Sequence, residues 1–493
     1  MAYLLYNTLL TIFLIGAAPY FLFRALIEER FRKELIQRVE FFPSLPFKKP
    51  IWVHAASVGE VFCSIPLVKR IKREFPHSEI VLTTMTLTGN EAAKTYIPEA
   101  DRVLFFPMDH PIAIRRAMER IQPSLLLIAE TELWPNLLRS CGAKGVPIVL
   151  FNGRISEKSF RRYLFLKFFF KDCLKYISLF LMQTEEGRNR IIEIGATMDK
   201  TRVVGNLKFD QPFPSFTPLE SPTINGGDDI NKTSRRVEST TIPPVVGSFR
   251  HRKGGVKTPS FLTGFTQESM AEMAKSLNLR GEETLLIAGS THSGEEEILL
   301  SFLKDLRKID PHLVLILAPR HLERLEEVER ILKRESISWT SKTLLSMDQD
   351  RPDEERKELP PVILLDTMGE LMKLYGLGSL VFIGGSLVPV GGHNPIEPLF
   401  FKKCVLFGPH MFHFLEISHH LIEAGGAIQV RGKEDLAFQL KRLLSDERAR
   451  KEVGEKGYQF LQKHRGATEK MFEEIRPFLI KMGNADCGLG NRK

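Results

Sequence analysis

Two turns in this sequence put reactive side chains where a parallel strand would hand over to a helix. The first is "HAASVGEVF", His54 to Phe62, which follows the apolar pair "IW" and offers one glycine and then a carboxylate, Glu60. In a nucleotide-binding unit such a turn receives a phosphate, and Glu60 would repel one. A carboxylate there suits proton transfer instead. It can take the proton of an attacking hydroxyl, and the helix dipole holds it ionised until a substrate arrives. A glutamate that only complements the dipole would occupy the same position. Ser57 and Gly59 of this turn are expected on the same side as the hydroxyl-bearing substrate. Other strand ends carry charge as well: Glu130 and Glu132 in "AETELWPN", Arg154 in "FNGR" and Lys208 in "GNLKFD". These groups are expected to crowd one rim.

The second turn is "FIGGSLVPVGGHNPIEP", with Gly384, Gly385, Gly391 and Gly392 ahead of a helix expected from about Pro395. Glycines let backbone approach an anion, and a helix start adds unpaired N–H groups, so a phosphate is expected here. Glu397, one turn on, can accept bonds from a ribose diol. A purely structural turn could also use these glycines. Nearby strand ends are compatible with a nucleotide: Pro319 and Arg320 in "LAPRH", where arginine can fork onto a phosphate, and the Met368, Gly369 and Glu370 backbone in "LLDTMGEL". In "AGSTHSGEEE", Ser290 and Thr291 read as the cap of a helix with an acidic first turn. The chain has no GxxxxGK[ST] loop, no GxGxxG at its first strand, and no DxD-like pair beside the glycines. A donor carrying a single phosphate would need no bridging metal.

The elements that must hold these turns alternate short apolar strands with helix-length segments, the pattern of parallel α/β units. One Rossmann-like domain is expected over residues 49–206 and a second over 267–482. Between them, 212–263 is rich in Pro, Gly, Ser and Thr and reads as a linker or insertion. Two such domains facing across a cleft describe the GT-B architecture of glycosyltransferases, which some epimerases share. Residues 1–40 differ. Met1 to Phe23 carries no charged side chain, long enough for a membrane anchor helix, and Arg24, Arg30, Arg32, Lys33 and Arg38 follow on what would be the cytoplasmic side. Ser159–Phe180 mixes basic and aromatic residues and reads as a helix able to lie on anionic lipid, or as an ordinary half-buried helix with a basic face. Five scattered cysteines without ligand spacing fit a reducing compartment and no structural metal, and a net charge of +9 fits an anionic partner.

The ordered set "HAASVGEV", "TLTGNEAA", "AETELWPNLL", "NGRIS", "GNLKFD", "LAPRH", "DTMGEL" and "GGSLVPVGGHNPIEP" resembles the 3-deoxy-D-manno-octulosonic acid (Kdo) transferases of lipopolysaccharide synthesis, over nearly the whole chain. The resemblance implies a metal-independent, cofactor-free inverting GT-B enzyme that moves Kdo from CMP-Kdo to a lipid A precursor (lipid IVA) at the cytoplasmic face of the inner membrane, with no nucleic-acid partner. It implies Glu60 as the proton acceptor, Glu130 and Lys208 as stabilisers of the transition state, and Pro319, Arg320, Met368, Gly369, Glu370, Asn394, Pro395, Ile396 and Glu397 as holders of CMP. The residues alone leave open another GT-B enzyme, either a different glycosyltransferase or an epimerase, and a tethered nucleotide-binding protein without catalysis. Two features depart from the family pattern: the length of 212–263, and Ser293 where glutamate is common.

Overall fold

The computed structural model describes residues 2–39, 49–210, 267–347 and 358–487. The expected linker 212–263 lies outside the described residues. Within them, two all-parallel sheets form where the apolar runs predict strands. The first contains β1 (Ile51–His54), β2 (Ile80–Thr84), β3 (Arg102–Phe105), β4 (Leu125–Ala129), β5 (Ile148–Gly153), β6 (Leu179–Met182) and β7 (Thr201–Val203), in the order β3-β2-β1-β4-β5-β6-β7. The second contains β8 (Thr284–Thr291), β9 (Leu313–Pro319), β10 (Trp339–Ser341), β11 (Val362–Leu364), β12 (Leu380–Ile383), β13 (Cys404–Phe407) and β14 (Ile428–Gln429), in the order β10-β11-β9-β8-β12-β13-β14.

Central strands such as "LLLIA" of β4 and "LVLILAP" of β9 are buried along their whole length, as a parallel sheet covered on both faces requires. Along β1 the side chains alternate between two cores: Ile51 and Val53 enter one, Trp52 the other. Strand order reverses between β1 and β4 in the first sheet and between β8 and β12 in the second. Helices leave to opposite faces at such a reversal, which opens a crevice beyond the carboxyl ends of the strands. Glu60 and Glu130 follow β1 and β4, and the first glycine pair follows β12.

The last helix corrects the expected domain limits. Ala467–Cys487 leaves the second unit and packs on the helix Val58–Glu74 of the first, where Met471, Phe472, Ile475 and Leu479 join the core around Val61, Ile65 and Val68. The second unit therefore ends near His464 rather than at residue 482. Two polar contacts fix the crossing. Asp210 accepts from the N–H groups of Gly466 and Thr468. The Arg70 guanidinium lies 3.8 Å over the Phe472 ring and bonds both oxygens of Glu469 at 2.8 Å.

At the other end, Tyr3–Ile27 is long and apolar enough to cross a membrane, by length and composition. Its first turns touch the first unit: the Tyr6 hydroxyl donates to Asp109 at 3.0 Å, and the Asn136 amide donates to Asn7 Oδ1 at 2.7 Å. The stretch 159–180 is not one helix. It breaks at Leu166 into Glu157–Phe165 and Lys167–Leu174, and its end enters β6. Phe165 and Phe168 flank the break and are exposed.

Phe472→Ala removes a fully buried ring from the joint between the last helix and the helix Val58–Glu74. It is expected to destabilise the first unit by about 3–5 kcal/mol, read from the shift of that unit's transition in urea unfolding.

Candidate functional site

Ser57 caps the helix Val58–Glu74 with extended backbone, φ −119° and ψ 169°. Glu60 bends back over this start. Its Oε2 accepts from the Ala56 N–H at 2.7 Å and its Oε1 from the Ser57 hydroxyl at 2.9 Å. The carboxylate thus satisfies a backbone N–H and a hydroxyl at the strand-to-helix turn, in a position that also complements the helix dipole as anticipated. It is also poised chemically. Only 8 % of Glu60 is exposed. Burial first, and then the neighbouring Glu130, push its pKa up to about 7, against the pull of the Ala56 and Ser57 bonds. Gly59 has ordinary helical backbone, and a Cβ there would meet nothing nearer than Ser57 Oγ at 3.9 Å, so the space above it is open.

The expected rim assembles around Glu60. Arg154 Nε lies 3.7 Å from Glu130 Oε2. Burial and the Glu130 charge raise the Glu132 carboxyl. The thiol of Cys63, held at about 12 mainly by burial, feels Lys208, Glu130, Glu60 and Arg154 together, so the four share one neighbourhood. Two residues on the rim have left-handed backbone without being glycine: Glu130 at φ 56° and Asn152 at φ 54°. Such conformations cost free energy and concentrate at functional sites.

A relay that was not anticipated from the sequence positions Lys208. Asn152 Oδ1 accepts from Leu207 N–H at 3.0 Å, and its carbonyl accepts from the Gln183 amide at 2.8 Å. Gln183 Oε1 accepts from the Asn206 amide at 2.9 Å, and Asn206 Oδ1 accepts from Lys208 N–H at 2.9 Å. The Lys208 ammonium reaches across to the second unit, 4.9 Å from the centre of the Phe414 ring. The signal in the sequence was the amide residue ending each strand: "FNGR", "LMQT" and "VVGN".

In the second unit the glycine turn does not hold out its amides. Gly384 N–H bonds the Gly289 carbonyl, and Gly391 and Gly392 both bond the Gly385 carbonyl. The amide of Gly385 is taken by a buried side chain. Glu295 Oε2 accepts from Gly385 at 2.7 Å and His292 at 2.9 Å, and Oε1 from Ser386 at 3.0 Å and Leu387 at 2.9 Å. These four donors need the lone pairs of an ionised carboxylate, though burial pushes its pKa up. The anion that this turn was built to receive is part of the chain. Nor does a long helix follow Pro395: the segment Glu397–Phe401 is a single 3-10 turn, so no helix dipole stands there. The acidic helix after "GSTHS" starts at Glu295 with Gly294 as its cap, and Ser290, at φ 58°, belongs to the strand end.

The remaining expected residues keep groups for a ligand. Pro319 ends β9, and Arg320 is exposed, without an ion-pair partner among the described residues. Asn394 makes an Asx turn to Ile396 N–H at 3.1 Å and donates to Glu397 Oε1 at 3.1 Å. Burial lifts the Glu397 carboxyl to about 7, with Asn394 and Arg320 pulling it back. Met368 is exposed and Gly369, at φ 82°, has open space where a Cβ would stand. Glu370 is occupied by Lys342 Nζ at 3.0 Å and by the Thr367 hydroxyl. This leaves its backbone, rather than its charge, for a ligand.

Residues 29–211 match the family described as 3-Deoxy-D-manno-octulosonic-acid transferase (kdotransferase). A 3-deoxy-D-manno-octulosonic acid transferase of Haemophilus influenzae is 33% identical over 453 residues, 91% of this chain and 92% of its own. One from Chlamydophila psittaci is 26% identical over 96% of both chains. Among solved structures, UDP-GlcNAc 2-epimerase from Neisseria meningitidis bound to UDP-GlcNAc superposes with a TM-score of 0.53 at 12% identity, covering 88% of this chain and all, 100%, of that one. That likeness concerns the fold, two Rossmann-like units of the GT-B kind.

Glu295→Gln replaces two acceptor lone pairs with an NH2 group that faces backbone donors. The change is expected to cost the second unit about 3 kcal/mol, seen as an earlier urea transition of that unit while the first unit's transition stays in place.

Proposed function

This chain belongs to the 3-deoxy-D-manno-octulosonic acid transferase family, and on that premise we propose that it transfers Kdo from CMP-Kdo to a lipid A precursor, lipid IVA, in lipopolysaccharide synthesis. It is a glycosyltransferase. The observation that carries the finer reading is Glu60: a nearly buried carboxylate, held in one orientation by Ala56 and Ser57, with a pKa near 7, at the crevice where strand order reverses.

In the proposed reaction the bond between C2 of Kdo and the phosphate oxygen breaks as a bond forms from the acceptor hydroxyl to the opposite face of C2. The outcome is inversion. Glu60 takes the hydroxyl proton, and a base with a pKa close to working pH combines availability with driving force. The phosphate gains one negative charge as it leaves. Arg320 and Lys208 are the cations free of carboxylate partners among the residues described there, and charges preorganised toward the developing anion usually contribute most to such a step. Lys208 meets either the phosphate or the sugar carboxylate. Glu130, with Arg154 beside it, holds the field on the acceptor side and keeps Glu60 basic. Glu397 and Asn394 accept and donate at the ribose, and the Met368–Glu370 backbone edges the base. The proposal needs no metal and no cofactor.

For the acceptor, the reading is a lipid held in the membrane on which the enzyme itself sits. The Tyr3–Ile27 helix would anchor the chain at the inner membrane, with both units on the cytoplasmic face. Phe165 and Phe168, with Lys167 and Lys171 beside them, would rest on anionic lipid and bring the acceptor cleft to the bilayer.

Glu60→Gln keeps the shape of the turn and removes the base. Transfer of Kdo to lipid IVA, followed by mass spectrometry of the product, is expected to fall about 10²–10⁴-fold while CMP affinity is unchanged. In the parent enzyme the deprotonated carboxylate is the active form. Thus kcat/KM should drop tenfold per pH unit below about 7 and level off above it. A variant with near-normal turnover, or a flat profile between pH 5 and 8, would remove the base from Glu60.

A further inference from the structure

With the glycine amides spent on Glu295 and on backbone carbonyls, the donor phosphate must be held by other groups at the β8/β12 reversal. Two histidines stand there. His292 follows β8 and His393 follows the second glycine pair. Their rings are parallel within 6°, their centroids 5.1 Å apart, and Nε2 of one lies 2.9 Å from Nε2 of the other. Both rings press on Gly385, where an added Cβ would meet each Cδ2 at 3.2 Å, so the glycine there serves the rings rather than a phosphate. The Nε2 contact is the one hydrogen bond either ring makes among the described residues.

A bond between two Nε2 atoms fixes the chemistry of the pair. One ring must carry its proton on Nε2 and the other must offer a lone pair there, so the two neutral rings have opposite tautomers. Their unused Nδ1 atoms are then one donor and one acceptor. Adding a proton to the acceptor Nδ1 leaves the Nε2 bond intact. It gives the pair one positive charge and a new Nδ1–H donor that a phosphate oxygen can accept from.

The surroundings decide when that proton is taken up. Arg320 and His321 after β9, Arg324 before the helix Leu325–Arg334, and His413 before the helix Leu415–Glu423 all act on the pair as positive or potentially positive groups. Glu295 beneath it is committed to backbone N–H groups, and Glu327 is bonded to Ser293 and Arg324. The empty pair is therefore kept neutral: burial and these neighbours lower His292 and bring His393 down to about 3. A phosphate entering among the same cations reverses the local field and favours the charged form.

We infer that His292 and His393 act as one proton-accepting pair that grips the phosphate of the donor and of the released nucleotide. This rests on the second unit being the donor site. In the reaction, the proton that the pair holds is shared with the departing phosphate oxygen as the C2–O bond breaks. The extra negative charge of the leaving monoester, whose second ionisation lies near pH 6, is met by that N–H.

The test is calorimetric titration of CMP into the full-length protein in detergent at pH 7.5, repeated in buffers of different ionisation enthalpy. Binding should take up close to one proton per CMP, and cytidine, lacking the phosphate, should take up none. His393→Gln keeps a side chain able to donate and accept at the Nε2 position but cannot be charged. It should abolish the uptake and weaken CMP about 10-fold to 100-fold, with cytidine binding unchanged. CMP binding without proton uptake, or uptake that persists in both His393→Gln and His292→Gln, overturns the pair and leaves the donor site standing. Failure of CMP to bind the parent protein overturns the donor site itself.

Discussion

In both halves of this protein a glutamate at the start of the first helix turns back onto backbone donors that the preceding strand leaves open. Glu60 does so on the Ala56 N–H, with the Ser57 hydroxyl as its second donor, and Glu295 on four N–H groups that include Gly385. A parallel strand that ends in a crevice necessarily strands such donors, and in many nucleotide-binding units a phosphate satisfies them. Here the chain brings its own anions. The consequence differs with burial. Glu295 is fully enclosed and becomes a structural strut, whereas Glu60 keeps a small opening and two acidic neighbours, and so remains titratable near neutrality.

The fold was legible because parallel sheets write themselves plainly in sequence: "SLLLIA" and "HLVLILAP" are apolar throughout because both faces are covered. The acidic and basic rim of the first unit was legible for a related reason, since charged residues directly after buried strands have few places to go other than the crevice. The glycine turn was misread by the same logic. Two glycine pairs signalled a close approach of backbone to something bulky or charged, which is correct, but the sequence did not say what approaches. The partners are Glu295, about ninety residues earlier in the chain, and the paired imidazoles of His292 and His393. Glu295 and His292 lie in "GSTHSGEEE", a motif whose serine, threonine and acidic run looked like helix capping alone, and His393 directly follows the second glycine pair. Nearest-neighbour patterns identify capping well and cannot reveal a carboxylate that reaches across to another strand's turn.

The final helix escaped for a different physical reason. Its apolar face, Met471, Phe472, Ile475 and Leu479, has the period of any core-facing helix, and period alone does not say which core. Contiguity in sequence favoured the second sheet, but the choice is made by a few contacts remote in sequence: Arg70 with Phe472 and Glu469, and Asp210 with the start of the helix.

Those contacts define where the two units are joined, and they bear directly on chemistry. Among the described residues the chain passes between the units at Leu207–Asp210 and at Arg465–Ala467, and Asp210 ties the two places together. Leu207 is buried in the core of the first unit and Phe209 in that of the second, so consecutive alternate residues belong to different bodies. Lys208 lies between them, with its backbone held by Asn206 on one side and its ammonium against Phe414 on the other. Lys208 thus touches both units, its backbone held in one and its side chain in the other. Its position is therefore set by both cores at once: the first fixes where its backbone stands, through Asn206 and the Asn152–Gln183 relay behind it, and the second supplies the ring its ammonium rests against.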